Sequence, residues 1–169
     1  DGAAMRANIL GISISRDPHH ARYLPLAHRH LTSGEQQDLD EALDLLRAVL
    51  EDASIAKVGH DLKFDTIVLA RHGVALQGIE ADSMLASYLI DATRPSHRLE
   101  DVALEQLFYK ALSQDDVCGR GVKRQLLGQL PPETVLDYAG ERADLALQLA
   151  SELGPQLPDQ GLETVWREL

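Results

Sequence analysis

The chain has 169 residues, 44% of them hydrophobic and 25% charged, which predicts one domain with a substantial core and excludes a long disordered chain. The formal net charge of −11 disfavours a free-standing module that holds nucleic acid by bulk positive charge, but it is compatible with a site whose carboxylates hold metal cations. A single cysteine, Cys118, excludes an internal disulfide, and no apolar run reaches the roughly 20 residues of a membrane helix. We therefore expect a soluble, intracellular protein.

The first predicted element is an antiparallel hairpin. Two short runs rich in apolar and β-branched residues, 7–15 and 21–26, flank the polar turn 16–20. A helix is predicted next, because apolar residues recur at helical spacing between Leu39 and Leu50, with Ser33 and Glu35 as its start signals.

The central part of the sequence alternates short strands with helices. Strands are predicted at residues 55–59 and 74–79, separated by a helix over residues 65–72 that stops at Gly73. Asp82 is the predicted cap of a helix over residues 83–89, and a further helix covers residues 99–107. This order predicts an α/β fold with a mixed sheet.

The last third is predicted to hold an irregular segment and a long helix. Residues 113–129 are polar, contain glycine and carry a basic tip. Pro131 and Pro132 open a helix whose apolar stripe runs over residues 135–153, and residues 161–169 begin another. The sequence contains no GxGxxG, phosphate-loop, paired CxxC or HExxH motif, and we favour solvated turn residues over metal ligands for the following histidines: His19, His20, His28 and His30.

Three stretches together carry a resemblance to a known family. They are KVGHDLKFD at residues 57–65, DSMLASYL at residues 82–89, and YAGERAD at residues 138–144. In this order, and with the hairpin before them, they resemble the 3′–5′ exonuclease domain of bacterial family-A DNA polymerase I. The resemblance implies a ribonuclease-H-like mixed β-sheet flanked by helices, the DEDD exonuclease fold, with the first catalytic strand missing from this sequence.

The resemblance also implies a chemistry and its partners. In that family, two divalent ions (Mg²⁺ or Mn²⁺) activate a water and stabilise the leaving oxygen at a single-stranded DNA 3′ end. The ions are held by the Asp and Glu of a DxE strand, the Asp of a second motif and the Asp of YxxxD. A polymerase domain of the same protein would follow residue 169, so we expect residues 1–169 to form a single exonuclease-like domain of a bacterial, cytoplasmic, nucleoid-associated protein, with no cofactor besides the metals.

Two residues of this sequence match the family's site. Asp65 matches the second-motif metal ligand, and Tyr138 matches the tyrosine that orients the water. The alternatives are that Asp65 only caps the helix that follows it, and that Tyr138 only packs in its helix. Asp61 stands where the family usually has asparagine, a departure that changes local hydrogen bonding.

The third match fails, because Arg142 stands where YxxxD requires aspartate. A cation about 6 Å from a divalent ion costs roughly 5 kcal/mol at an effective dielectric near 20. Glu141 and Asp144 flank this position, but residues one position back and two ahead point away from the face of Arg142. Glu141 is the better candidate for a substitute ligand because it lies three residues from Tyr138. No DxE precedes the hairpin in this sequence either.

Three interpretations stay open at this point. The first is an exonuclease-type domain with lost or weakened activity, in which metal binding is doubtful. The second is an active nuclease that takes DxE from upstream residues and uses Glu141, and the third is an α/β interaction module unrelated to nucleic acid. If DNA binds, the best phosphate contacts are Arg120, Lys123 and Arg124, with a solvated loop as the alternative.

Overall fold

The structure is a computed structural model and describes residues 4–168. Its strands are β1 (Gly11–Asp17), β2 (His20–Pro25), β3 (Lys57–Gly59) and β4 (Ile79–Asp82). Its helices are α1 (Leu39–Leu50), α2 (Leu62–Arg71), α3 (Ser83–Ile90), α4 (Leu99–Gln106), α5 (Gln114–Cys118), α6 (Pro132–Leu153), α7 (Gln156–Asp159) and α8 (Glu163–Glu168). Two single 3₁₀ turns, Gly121–Lys123 and Leu127–Gln129, lie between α5 and α6.

The strands form two separate pairs. β1 and β2 are antiparallel, with Gly11 opposite Pro25, and β3 and β4 are parallel, with Gly59 opposite Asp82. Within residues 4–168 no ladder joins the two pairs. The predicted α/β class is therefore confirmed, while the mixed sheet is present as one antiparallel and one parallel pair and not as one continuous sheet.

Helix α6 is the element that links the two pairs. It packs along β1 and β2 and also contacts β3 and β4. The contact with the hairpin is close at Gly140, where a Cβ atom would lie 3.5 Å from the Cβ of Ala21. Farther along, the buried residues Leu145, Leu149 and Leu153 of α6 pack with α3 and α4, so burial of this apolar stripe stabilises the C-terminal half.

A second core lies beneath the hairpin and holds α1 and α2 in place. It contains Ile9, Leu26, Leu43, Val68 and Val74, all of them buried. This core fixes the orientation of α2, whose first turn carries the candidate site residues.

Hydrogen bonds made by the pair Tyr23 and His28 connect the hairpin to the start of α6. The Nδ1 of His28 donates to the carbonyl of Leu130 at 2.9 Å, so its Nε2 accepts from the hydroxyl of Tyr23 at 2.7 Å. Burial raises the pKa of Tyr23 to about 12, and its ring leaves no space for a side chain at Gly11. The prediction that His28 is solvated was wrong, because nothing in the neighbouring sequence indicates a partner 102 residues away.

Several predicted elements are confirmed in type. The hairpin, the five main predicted helices (α1, α2, α3, α4 and α6) and the cap of α3 by Asp82 all form, and the side chain of Asp82 accepts from the backbone N–H groups of Met84 and Leu85. Pro132 occupies the first turn of α6, where its missing N–H has no consequence. Gly73 ends α2 with a φ of 74°, which glycine adopts without strain.

Three predicted boundaries were wrong. α1 is capped by Asp38, whose carboxylate accepts from two N–H groups of the first turn, and not by Ser33 or Glu35. α2 begins at Leu62, three residues before Asp65. The segment predicted as a strand from Val74 onwards is irregular up to β4, because the N–H of Val74 closes a turn on the carbonyl of Leu69.

Candidate functional site

The candidate site lies where β3 and β4 end and the helices α2 and α3 begin. Asp82, only 5% exposed, organises this junction. Its carboxylate accepts from the backbone N–H of Asp61 at 3.1 Å and of Leu62 at 2.7 Å, and also from the two N–H groups at the start of α3. Because helix N-termini leave such donors unpaired, one buried carboxylate satisfies the ends of two helices.

Asp61 occupies the N-cap position of α2 in a left-handed conformation, with φ 64° and ψ 48°. Short polar residues tolerate this region better than other non-glycine residues do. Burial raises the pKa of the Asp61 carboxyl group, and the charge of Asp82 adds to this rise, while the backbone N–H of Phe64 and the charge of Lys63 oppose it. The aspartate thus adds negative charge beside Asp82.

Asp65 lies one turn further along α2, inside the helix. The interpretation that it only caps this helix was therefore wrong, since Asp61 holds the cap position. Asp65 is open to solvent on one side and surrounded by protein on the other sides, so desolvation is the main cause that raises its pKa to about 6. The charges of Asp61 and Asp82 raise it further, while Arg142 opposes them.

Arg142 approaches this acidic face from α6. Its guanidinium lies over the ring of Tyr138, 5.4 Å from the ring centroid, and its Nη1 lies 3.5 Å from the Oε2 of Glu100. Arg98 pairs with the other carboxylate oxygen of Glu100. Burial alone would raise the pKa of Glu100, but a backbone hydrogen bond and the two arginines outweigh it and the pKa is lowered.

Tyr138 is half-buried, and burial raises its pKa, so the phenol is neutral at ordinary pH. The structure thus groups Tyr138 with Arg142 and Glu100.

His60 forms the inner wall of the site. The hydroxyl of Ser83 donates to the carbonyl of Gly59 at 3.0 Å, so the Nδ1 of His60 donates to Ser83 and its Nε2 carries a lone pair. Within the described chain this buried Nε2 has no hydrogen-bond partner, although the main chain of His97 lies nearby. Desolvation is the main cause that lowers the pKa of His60 to about 4, and the charge of Arg142 lowers it further while Asp82 opposes both.

Glu141 faces away from Asp65. Its Oε1 accepts from the hydroxyl of Tyr109 at 2.7 Å, and its Oε2 accepts from the backbone N–H of Leu112 at 2.6 Å. Asp144 is likewise engaged, since it accepts from the backbone N–H of His19 at 2.6 Å. Both carboxylates therefore hold loops against α6.

The basic loop with Arg120, Lys123 and Arg124, which is predicted to contact phosphate, follows α5 and is exposed to solvent. Arg120 and Arg124 both lie near Asp115, at 3.5 and 3.9 Å, while the described residues offer Lys123 no ion pair. Val122 lies at the tip and is fully exposed. The loop is thus free to meet a ligand, but its charge is partly neutralised by Asp115.

These residues do not fit a pair of divalent ions. Among residues 4–168 no three His, Cys, Asp or Glu side chains converge as a metal site would require. Asp82 is saturated by backbone donors, Glu141 is engaged by a loop, and Arg142 stands where the motif requires the fourth carboxylate. Of the carboxylates discussed at this site within residues 4–168, Asp65 and Asp61 remain available.

Sequence reasoning missed two residues of this site. His60 lies inside the KVGHDLKFD stretch, so its neighbourhood could have been suspected from the motif alone. Glu100 could not, because an acidic residue in the first turn of a helix is common and nothing local indicates that it meets Arg142, 42 positions later.

Comparison with known proteins identifies the family. Residues 5–149 match the family model described as DNA polymerase I, ribonuclease H-like domain. The chain is 36% identical to DNA polymerase I of Pseudomonas aeruginosa over 91% of its length, and 37% identical to that of Synechocystis over 89%. It spans only 17% and 15% of those proteins.

Solved nucleases share the fold. NrnC of Brucella melitensis superposes with a TM-score of 0.66 at 20% identity, over 95% of this chain and 70% of that one. The POL domain of Pol1 from M. smegmatis, in complex with DNA primer-template and dNTP, gives a TM-score of 0.63 at 23% identity, over 88% of this chain and 21% of that one.

Two further observations complete the comparison. One structure of NrnC from Brucella melitensis contains bound Mg²⁺. No helix in the described part of this chain is long and apolar enough to cross a membrane. The expected ribonuclease-H-like fold is confirmed, and the chain belongs to the DNA polymerase I family as its ribonuclease H-like, 3′–5′ exonuclease-type domain.

Proposed function

We propose that this domain binds single-stranded DNA 3′ ends beside a polymerase domain of the same protein and does not hydrolyse them at an appreciable rate. The observation that carries the proposal is Arg142, which stands where the family's motif has a carboxylate and is held by an ion pair with Glu100 and by the ring of Tyr138. Hydrolysis by two metals needs a set of oxygen ligands, and a fixed positive charge opposes that set.

The partners follow from the relatives, which are full-length DNA polymerases several times longer than this chain. We propose that residues 1–169 are one domain, that a polymerase domain follows them in the natural protein, and that the protein works in the bacterial cytoplasm, associated with the nucleoid. NrnC of Brucella melitensis has also been solved bound to pGG, which supports a short nucleic acid as the kind of ligand that this fold accepts.

The direct test is release of nucleotides from a 3′-labelled single-stranded oligonucleotide in Mg²⁺ or Mn²⁺. We expect no metal-dependent release, together with binding that fluorescence anisotropy detects and that is stronger for single-stranded than for blunt duplex ends. Robust metal-dependent turnover would overturn the inactive assignment, and absence of binding to any oligonucleotide would favour an interaction module instead.

The active alternative requires Glu141 to act as a ligand. Its two oxygens would have to leave the hydroxyl of Tyr109 and the N–H of Leu112, at the cost of two charge-assisted hydrogen bonds. If the chain nevertheless shows turnover, Glu141→Gln should abolish it, with Asp144→Asn as the matched control on the same helix.

The basic loop is the proposed phosphate contact. Replacing Arg120, Lys123 and Arg124 together by alanine should weaken oligonucleotide binding about tenfold and reduce its salt dependence, because fewer counterions are released. Asp115→Ala is the matched control: it frees Arg120 and Arg124, so it should strengthen binding. Unchanged affinity in the triple variant would indicate a solvated loop.

A further inference from the structure

The loop that follows α4 displays an aromatic side chain to solvent. Phe108 is 90% exposed, and its backbone lies in the left-handed region with a φ of 54°. This conformation is common just after a helix, but glycine usually adopts it, since larger side chains crowd the main chain there. A bulky aromatic residue in this position therefore strains the backbone of the isolated domain without packing against the rest of it.

The backbone on both sides of Phe108 is anchored. The N–H groups of Leu107 and Tyr109 both donate to the carbonyl of Ala103 in the last turn of α4, at 2.9 and 3.3 Å. Ala111, three residues after Phe108, is buried in the core that α3, α4 and α6 share. The left-handed conformation therefore belongs to an ordered turn, and this turn holds the ring outward.

Phe108 belongs to an apolar surface that we call the aromatic patch. The patch consists of four exposed or partly exposed side chains: Leu104, Phe108, Tyr109 and Leu112. Their exposed fractions are 54%, 90%, 48% and 36%. The hydroxyl of Tyr109 and the N–H of Leu112 both donate to Glu141, which holds this part of the patch against α6. Because Glu141 binds this loop and faces away from Asp65, the aromatic patch is separate from the candidate site.

The charges around the aromatic patch narrow the class of partner. Residues 99–117, which contain the patch, carry one lysine, Lys110, and five acidic residues: Glu100, Asp101, Glu105, Asp115 and Asp116. Arginines pair with three of these acids, but within residues 4–168 Asp101 and Asp116 have no ion pair. The phosphates of a nucleic acid would meet like charge here, and so would a second copy of this chain, whose net charge is −11. A protein surface with an apolar pocket and a basic rim fits the patch best.

We propose that the aromatic patch docks onto the polymerase domain of the same protein, and that Phe108 enters an apolar pocket of that domain with a basic rim. The identity of the partner rests on the proposed function, in which such a domain follows this one. This chain spans only 17% and 15% of two DNA polymerase I relatives, so most of each relative is available to contact the matched domain. Burial of the ring between two domains would also offset the backbone strain at Phe108.

Hydroxyl-radical footprinting tests the docking, because the rate at which a side chain is oxidised follows its exposure to water. Phe108 should be oxidised rapidly in the 169-residue chain and at least about tenfold more slowly in the full-length natural protein, since the centre of an interface excludes water. Leu31, which is 103% exposed in the loop before α1, is the matched control and should react equally in both proteins. Equal oxidation of Phe108 in the two proteins would overturn the proposal.

The substitution Phe108→Gly separates a docking role from a structural one. Glycine relieves the backbone strain, so the melting temperature of the 169-residue chain should rise by about 2 °C. In the full-length protein the same substitution removes the docked ring, so a protease should cut between the two domains several times faster. Leu31→Gly also removes an exposed apolar side chain and should leave the rate of cutting unchanged. An unchanged rate in Phe108→Gly would contradict the docking, whatever happens to the melting temperature.

Two other occupants are tested with the 169-residue chain alone. Slower oxidation of Phe108 after addition of a single-stranded oligonucleotide would assign the patch to nucleic acid, and slower oxidation at higher chain concentration would assign it to a second copy. Either result overturns the proposal. Failure of the proposed DNA binding is distinguishable, because it shows as absence of oligonucleotide binding by the same chain, which the docking does not require. A natural protein without a polymerase domain would refute both the proposed domain arrangement and the docking.

Discussion

Asp82 and Asp65 both lie near the first turn of a helix that follows a short strand, but their surroundings differ. Asp82 is buried and accepts from four backbone N–H groups of two helices. Asp65 receives no hydrogen bond from residues 4–168, and its surroundings raise its pKa to about 6, chiefly by desolvation. Asp82 therefore has a structural role, whereas Asp65 is available to bind a ligand or a counter-ion.

The two histidines His28 and His60 repeat this contrast. Both ring nitrogens of His28 are paired, whereas His60 keeps a buried lone pair. A polar group whose hydrogen bonds are complete stabilises the fold, whereas a buried ring nitrogen without a partner among the described residues calls for an explanation and is a candidate for function. The predictions below test this distinction.

The largest effect is expected for Asp82→Ala. The substitution leaves four backbone donors at two helix ends without their acceptor, so the free energy of unfolding should fall by roughly 3–4 kcal/mol. Urea denaturation measures it. A loss below about 1 kcal/mol would mean that water replaces the carboxylate, and Asp82 would then be no more structural than Asp65.

An effect of roughly 3 kcal/mol, confined to acid pH, is expected at His60. Its pKa is lowered to about 4 in the folded chain, so the unfolded chain takes up the proton first and the wild type loses stability as pH falls from about 6.5 to about 4. His60→Gln keeps a donor toward Ser83 and lacks this proton, so its urea midpoint should depend less on pH in that window. Equal pH dependence of the two proteins would contradict the prediction.

A loss of about 1–2 kcal/mol is expected for Glu141→Ala, because the loop after α4 loses its acceptor on α6. Urea denaturation measures this loss, and an unchanged free energy of unfolding would mean that the loop does not depend on Glu141. The hydrogen bond and charge of Glu141 raise the pKa of Tyr109, so a fall in that pKa in the variant would report the lost contact.

The smallest effect is expected for Asp65→Asn, and it should be a gain. Because the folded chain raises the pKa of Asp65, ionisation of this group reduces stability as pH rises from about 4 to about 6. The amide removes this loss, so the variant should be more stable at pH 7 by at most about 1 kcal/mol, since the side chain is solvent-exposed and its charge is screened. The difference should vanish near pH 4, and urea titrations at both pH values would show it.

The sequence was informative wherever a structural element has a local cause. The apolar stripe and the opening prolines predicted α6, and the turn between two apolar runs predicted the hairpin. The start of α1 and the extent of β4 were wrong, because several residues near each boundary qualify as caps or strand formers and distant contacts select among them. Ser33 and Glu35 precede α1, but only Asp38 has the geometry to accept from its first N–H groups.

For the candidate site, the motif stretches led to Asp65, Tyr138 and Arg142, and the register of a helix was enough to indicate that Tyr138 and Arg142 share a face. The partners of these residues could not be found in the same way. Glu100 contacts Arg142, and Glu141 binds a loop, across 29–42 positions of the sequence. Contacts at such separations do not produce a repeating pattern of residue types from which they could be predicted.

The sequence by itself determined the family, the order of helices and strands, and the substitution of a cation for a carboxylate at position 142, because these depend on residue identity and spacing along the chain. Only the tertiary structure decided which carboxylates already have hydrogen-bond partners within the protein. It paired Asp82 with the helix ends, Glu141 with a loop, and the guanidinium of Arg142 with Glu100. The physical reason is that a hydrogen bond or an ion pair depends on distances of a few ångströms between side chains, and those distances are set by packing between elements that are remote in sequence.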